Sequence, residues 1–507
     1  MPSLTTFDVA CLPRDVDILL GVIGDLQRQY NHILESLQQQ LANLRNRHFG
    51  ATSERMGAQP ELFIETVSLP VPPVETQTIP THERRKGGRP RLPADLPRQR
   101  IEYELSEDEK AQFDRIEKIG EEVSETLDYT PAKLIVVEHA RGKFRCELDG
   151  EATIRVAHAE PSPLPKSNAS AGLLAHVLVS KYADGLPLNR QEKIFARHGI
   201  ELSRATLCHW ILGSTEKLAM LLPTLKAHIL GAPVIFGDDT TIDLIEGGRG
   251  KTITGRMWAY LSAGATQCDD GTWQDYPKAV YFDFTRTREA VHPTRFLKEY
   301  QGYLQADDYA GYHASFRSGR IIHVACWAHA RRKFHEVART QETPGLAAEA
   351  VRFIAKLYEI EGRARTEPPD KRQVLRQKET VPLLADFKVW LEGHYPTLLP
   401  QSPLAQAFAY TLTNWEALNR FTQDGILAPD SNLVERTIRP IAVGRKAWLF
   451  VASERGGEAA AITFSLIETC KLNGIEPYAY LKDVLARING QRTNRLAELL
   501  PFHWKPA

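Results

Sequence analysis

Three carboxylates in this sequence stand where chain elements change. Asp238 follows the apolar run Pro233–Gly237, and Asp307 follows the short run Gly302–Ala306. Glu435 lies one turn into a segment opened by Pro429-Asp430-Ser431-Asn432. Three acids without a His or Cys partner suit hard divalent ions with oxygen coordination, Mg²⁺ or Mn²⁺. Two such ions about 3.5–4 Å apart activate a nucleophilic oxygen and stabilise the leaving oxygen of an in-line phosphoryl displacement. Each Asp has a twin, Asp239 and Asp308, and neighbouring strand residues point to opposite faces. Only one of each pair can therefore face the ions. Asp243 is a weaker competitor for the first position.

Cations gather around the acids. ACWAHARRKFHEV supplies His329, Arg331, Arg332 and Lys333, and Glu435 is followed by Arg436, Arg439, Arg445 and Lys446. Contacts to a phosphate backbone need such side chains. Cys326-x-x-His329 has half the spacing of a zinc site, but no second half follows at a suitable distance. A structural or DNA-contact role is expected for the pair. Trp327 and Trp448 are expected in the core.

The elements that position these groups read as follows. Pro233–Gly237, Gly255–Ala263 and Ala279–Phe284 have the aromatic and β-branched content of strands. A helix opens at His292-Pro293-Thr294, and Gly302–Ala306 and Ile321–Cys326 are further short strands. The latter runs into a helix over Ala328–Arg339. Residues 345–425 are polar-patterned and helical, and Asp430-Ser431-Asn432 caps a last helix. Three strands, a helix, a strand, a helix, a strand and a helix is the order of a ribonuclease H-like core. Its first and fourth strands are neighbours, which would set Asp238 beside Asp307. The core is expected over 232–450 with a helical insertion at 345–425, and a helical tail at 451–507.

Upstream, Val16, Ile23, Tyr30, Leu37 and Leu44 repeat every seven residues, with Leu19, Leu26 and Ile33 between them and Gln40 out of pattern. This is the seam of a coiled-coil helix over 14–48, implying a homo-oligomer. Residues 66–100 form a Pro-rich linker. Its stretch Arg84–Arg100 holds seven Lys or Arg against one acid, Asp95. Gly88-Arg89-Pro90-Arg91 looks like a minor-groove hook, with Arg89 and Arg91 entering a narrow negative groove. Residues 170–225 are helical. Within them a helix ends near Gly199, and Ser203 caps a second helix through Ile211 that carries Arg204, Thr206, His209 and Trp210. That is helix-turn-helix spacing, with Arg204 and His209 as candidate DNA contacts.

The chain has 507 residues, with 63 Lys plus Arg against 63 Asp plus Glu. Such a length implies several domains, and the balance excludes a uniformly basic protein while saying nothing of where charges sit. Six scattered cysteines without a Cys-x-x-Cys pair point to a reducing cytosol and away from a disulfide framework. No basic-then-apolar leader opens the sequence, and no apolar run of about 18 residues occurs, so neither secretion nor a membrane span is expected.

These segments together resemble the transposases of the insertion sequence sixty-six family, within the Asp-Asp-Glu superfamily. The resemblance is carried by RNRHFGATSERM, LPADLPRQRIEYEL, KYADGLPLNRQEKIFARHGIELSRATL, GDDTT, GRMWAYL, YLQADDYAGY, ACWAHARRKF and LAPDSNLVERTIRPIAVGRKAWLF, and by the C-terminal GIEPYAYLKDVLARI and LLPFHW. It implies metal-dependent cleavage at the ends of a mobile element and strand transfer into target DNA, with Asp238, Asp307 and Glu435 catalytic and metal-holding. It also implies double-stranded DNA as partner, small accessory proteins of the same element, and a bacterial cytoplasmic, nucleoid-associated location. The family carries a zinc module with two Cys-x-x-Cys pairs between linker and helix-turn-helix. Over 101–160 this chain keeps only Cys146 of them, in KFRCELDGE. A structural Zn²⁺ needs about four ligands, so a degenerate module and no zinc are expected. That loss motivates an alternative, a catalytically silent transposase-derived DNA-binding protein. A structure-specific ribonuclease H-like nuclease is the other.

Overall fold

The computed structural model describes residues 143–148, 151–156, 162–165, 167–246, 251–341 and 344–506, with Tyr30 and Leu134. The coiled-coil seam other than Tyr30, the linker, and Arg89 and Arg91 lie outside the described residues. The chain divides into two units, one of which is Glu61–His158. In that unit β1 (Lys143–Leu148) and β2 (Glu151–Val156) form an antiparallel hairpin, with Cys146 opposite Thr153.

The larger unit begins with α1 (Ala171–Tyr182) and α2 (Leu188–Arg197). Gly199 follows α2 at φ +76°, a left-handed turn that glycine adopts without penalty. α3 (Arg204–Leu218) then starts at Ser203, whose hydroxyl accepts from Thr206 N at 3.1 Å. This is the expected cap, worth about 1 kcal/mol. The helix does not stop at Ile211, because Thr215 and Leu218 continue its buried face to the next turn. Trp210 is 3% exposed and belongs to that face, whereas Arg204 and His209 are exposed. A short helix, α4 (Leu222–Leu230), leads into the sheet.

The main sheet has the strand order β7-β4-β3-β8-β9. β3 (Val234–Glu246) and β4 (Lys251–Ala263) form a long antiparallel hairpin, and β7 (Val280–Thr285) is antiparallel to β4. β8 (Gly302–Gln305) is parallel to β3, and β9 (Ile321–Val324) is parallel to β8. A separate small hairpin, β5 (Ala265–Gln267) and β6 (Trp273–Asp275), extends from the β4 end, and α5 (Val291–Phe296) connects β7 to β8. The first strand does not end at Asp238 as the sequence suggests. Asp is a poor strand former, but unbroken pairing with β4 carries β3 on to Glu246.

Both faces of the sheet are covered. Trp258, Tyr260 and Phe282 are at most 1% exposed, and Tyr260 stacks on Phe296 at 3.8 Å. After β9 come α6 (Trp327–Ala338) and the expected helical insertion, α7 (Leu346–Ala364), α8 (Pro369–Leu375), α9 (Val381–His394), α10 (Pro403–Thr413) and α11 (Trp415–Asn419). Trp327 is fully buried, with its indole N–H on Leu418 O at 2.8 Å, so the core assignment holds for it. α12 (Asn432–Trp448) returns to β3, and β10 (Phe450–Val451) adds a short parallel strand there. Trp448, near its end, is half-buried.

The edge strand β7 would leave unpaired backbone donors. α13 (Glu454–Leu472) supplies acceptors from its own side chains: Ser465 Oγ takes Phe282 N at 2.8 Å and Thr469 Oγ1 takes Val280 N at 3.0 Å. The approach is close enough that a Cβ on Gly457 would meet Phe284 at 2.6 Å. α14 (Pro477–Arg487) then lies against α1.

Candidate functional site at the parallel edge of the sheet

The last parallel pair between β3 and β8 is Phe236 with Gln305. Asp238 and Asp307 each stand two residues beyond it, so the register sets them level with one another across the strand gap. Glu435 is in the first turn of α12, whose start is tied by Asn432 N to Asp430 Oδ1 at 3.1 Å. All three acids are half-buried. The Asp238 carboxyl is pushed up to about 7, chiefly by burial and then by the negative charges of Glu435 and Asp307. The Asp239 N–H donated to its Oδ1 at 2.7 Å and the nearby His329 act the other way.

The twin acids are occupied. Asp239 Oδ2 takes Arg256 at 3.0 Å and its Oδ1 takes Arg288 at 2.8 Å, with the carboxylate only 5% exposed. Asp308 pairs with His313 at 3.0 Å and accepts from Asn414 Nδ2 at 3.2 Å. The face alternation expected along β3 therefore sorts the two acids: one is neutralised by Arg, the other faces like charges. Asp243 is farther along β3, opposite Thr254 and beside Phe450 of β10.

Arg256 and Arg288 were not apparent from the sequence. For Arg256 the signal lay in the hairpin register: it sits diagonally across from Asp239, two places from Trp258. Arg288, in the loop after β7, gave none. Partial burial opposes its charge, but Asp239 and Asp307 raise its pKa, and its guanidinium lies 4.2 Å over the Tyr309 ring. Tyr312 was missed as well. Its ring is 1% exposed, its hydroxyl has no hydrogen-bond partner, and burial with Asp238, Asp239 and Asp307 raises its pKa well above 10.

The expected DNA-contacting cations divide. Arg332 and Lys333 are exposed and Arg331 is half-buried, with Arg332 3.3 Å from Glu435 Oε2 and Lys333 over the Tyr410 ring. Arg436 and Lys446 are exposed and Arg439 is half-buried. Arg445 is spent inside the fold on the Thr240 and Thr241 hydroxyls and the Thr241 carbonyl, anchoring α12 to β3. Arg204 reaches Glu192 of α2 at 3.3 Å.

One expectation is overturned, that of a chain without zinc. Cys326, His329 and Glu435 offer ligand atoms within 4.8 Å of one another, the one such group among the described residues. Spacing rules missed it because the third ligand comes from α12, more than 100 positions downstream, through the fold. Cys326 Sγ accepts from Ser431 N at 3.3 Å, and His329 Nε2 is 3.7 Å from Glu435 Oε1. Burial pushes the Cys326 thiol up to about 11.

The fold and site thus define a helix-rich α/β protein with a cluster of acids and cations at the parallel edge of a mixed sheet. Comparison with known families places the chain. The model of the Transposase IS66 family matches residues 166–459, and the IS66 C-terminal element matches 465–502. The zinc-finger binding domain of transposase IS66 matches 112–147, which also overturns the no-zinc expectation, although Cys146 is the only cysteine in that span. A homeodomain model, Transposase C of IS166, matches 36–101. The chain belongs to the Transposase IS66 family. Relatives in Sinorhizobium fredii are the uncharacterized proteins y4hP, 33% identical over 94% of this chain and 88% of the relative, and y4qI, 33% identical over 98% of each. A third, y4jD, is 38% identical over 77% of this chain and 76% of the relative. The matched domains imply DNA binding, and no described helix is long and apolar enough to cross a membrane.

Proposed function

We propose that this transposase cuts DNA at the ends of its element and joins the released ends to target DNA, with Asp238, Asp307 and Glu435 as the catalytic carboxylates. The observation that carries the reading is the convergence of three carboxylates, Asp238 and Asp307 level with one another beyond the last β3–β8 pair and Glu435 in the first turn of α12. Burial and two neighbouring acids drive the Asp238 carboxyl up to about 7, and a divalent cation is the partner that removes such a penalty. Oxygen donors suit Mg²⁺ or Mn²⁺. When bound, the cations would supply charge stabilisation for an in-line phosphoryl displacement. Arg332 and Lys333 would grip the scissile backbone, and Arg288 with Arg256 holds Asp239 away from the reacting phosphate.

The strand order β7-β4-β3-β8-β9, in which the first strand of the core, β3, lies beside the fourth, β8, supports a ribonuclease H-like core over 232–450 with the insertion at 345–425. The domain limits 14–48, 66–100, 101–160, 170–225 and 451–507, the coiled-coil oligomer and accessory proteins of the element belong to the same reading.

The test is incubation of purified protein with element-end duplex, with Mg²⁺ and with chelator. End-specific nicks that yield a 3′ hydroxyl, seen only with the metal, are expected. Binding without cleavage would leave the silent DNA-binding alternative. Cleavage indifferent to the terminal sequence would leave the structure-specific nuclease.

A further inference from the structure

The cluster of Cys326, His329 and Glu435 is not explained by phosphoryl chemistry on hard ions. Cys326 lies two residues beyond β9 at the N-cap position of α6, His329 is in the first turn of α6, and Glu435 is in the first turn of α12. Two buried atoms in it lack hydrogen-bond partners, His329 Nδ1 and Glu435 Oε1. Orphaned buried polar atoms are costly unless something binds them. The sulfur accepts the backbone N–H of Ser431 at 3.3 Å, a donor that would support a metal-bound thiolate against the burial that otherwise keeps the thiol protonated. Backbone donors aimed at sulfur are the outer-shell support that a metal-bound thiolate uses.

The geometry points to a second cation site in this transposase, in which Cys326 Sγ, a His329 ring nitrogen and Glu435 Oε1 bind a borderline-soft divalent ion, Zn²⁺. One S, one N and one O donor match Zn²⁺ and suit Mg²⁺ poorly. Zn–S of about 2.3 Å and Zn–N of about 2.0–2.1 Å require the cluster to contract by about 1 Å, within reach of rotamer adjustment. Binding forms the metal–sulfur bond and releases the thiol proton to solvent, while His329 binds as the neutral ring. Three protein ligands leave the fourth position to water. The ion would staple the β9–α6 junction to α12 and fix where Glu435 points, leaving Oε2, now 3.3 Å from the exposed Arg332, for the catalytic cation. Glu435 is shared with the proposed catalytic set, but the site does not depend on Asp238 or Asp307.

Co²⁺ reports thiolate ligation directly. The full-length reduced protein is titrated with Co²⁺ and followed by absorption. One equivalent with visible bands and a sulfur-to-cobalt charge-transfer band is expected, displaced by Zn²⁺. The charge-transfer band survives in Cys146→Ser and disappears in Cys326→Ser, and His329→Gln weakens binding at least tenfold while the thiol remains. Circular dichroism checks that each variant is folded, and His329→Gln, at a half-buried position, decides the matter should Cys326→Ser unfold. No thiolate band in the wild type, or a band that is lost with Cys146 and kept without Cys326, overturns the site. Because the readout is spectroscopic, it stands or falls separately from DNA cleavage.

Discussion

Asp238→Asn lowers Mg²⁺-dependent end cleavage by roughly a thousandfold or more, whereas Asp239→Asn lowers it by roughly tenfold, and both variants bind end DNA like wild type. The two substitutions remove the same charge from adjacent positions, so the contrast isolates geometry. Asp238 faces Glu435 and Asp307, and among the described residues no Lys or Arg pairs with it. Asp239 is locked between Arg256 and Arg288. Its loss frees two guanidiniums beside the site and disturbs positioning without removing a cation-holding group. Single-turnover cleavage of a labelled end, with binding measured in chelator, separates the two effects. Equal losses, or the reverse order, would assign the wrong face of β3 to the chemistry.

The second large effect is on stability. The folded-state pKa of Asp238, about 7, lies above the value of about 3.9 for an unfolded chain. The folded state therefore holds the proton more tightly. By linkage, the contribution of this group is fully present below about pH 4 and is lost as pH rises through 7. In chelator, wild type should lose stability between pH 4 and pH 7 from this source. Asp238→Asn removes that dependence and should be more stable than wild type at pH 8, by up to roughly 4 kcal/mol, while matching it near pH 4. Saturating Mg²⁺ should stabilise wild type at pH 8 by mass action and Asp238→Asn far less. Parallel stability–pH curves for the two proteins would mean that the carboxyl is not under the strain described.

The proposed acids could be picked out because Asp307 follows the short strand β8 and Asp238 follows an apolar run, although β3 continues past Asp238 to Glu246. The cap at Ser203 was legible for a similar reason: the signal is local. What escaped depended on register or on distant contacts. The continuation of β3 through Asp238 and Asp239 against their poor strand propensity comes from thirteen consecutive pairs with β4. The Arg256 partner of Asp239 is a diagonal across that hairpin. The third ligand at Cys326 and His329 arrives from α12, which no spacing rule anticipates, and counting Cys-x-x-Cys pairs therefore gave the wrong answer on zinc. Arg445 shows the opposite failure. Its position among Arg436, Arg439 and Lys446 suggested DNA, yet it spends its donors on Thr240 and Thr241.

The central claim is that Asp238, Asp307 and Glu435 hold the cation on which cleavage depends. Asp307→Cys tests it most directly, since exchanging oxygen for sulfur changes metal preference and leaves the duplex contacts alone. Cleavage of element-end DNA by this variant should fall by roughly a thousandfold in Mg²⁺ and recover by at least tenfold when the thiophilic ion Mn²⁺ replaces it. Full activity of Asp307→Cys in Mg²⁺ would contradict the account.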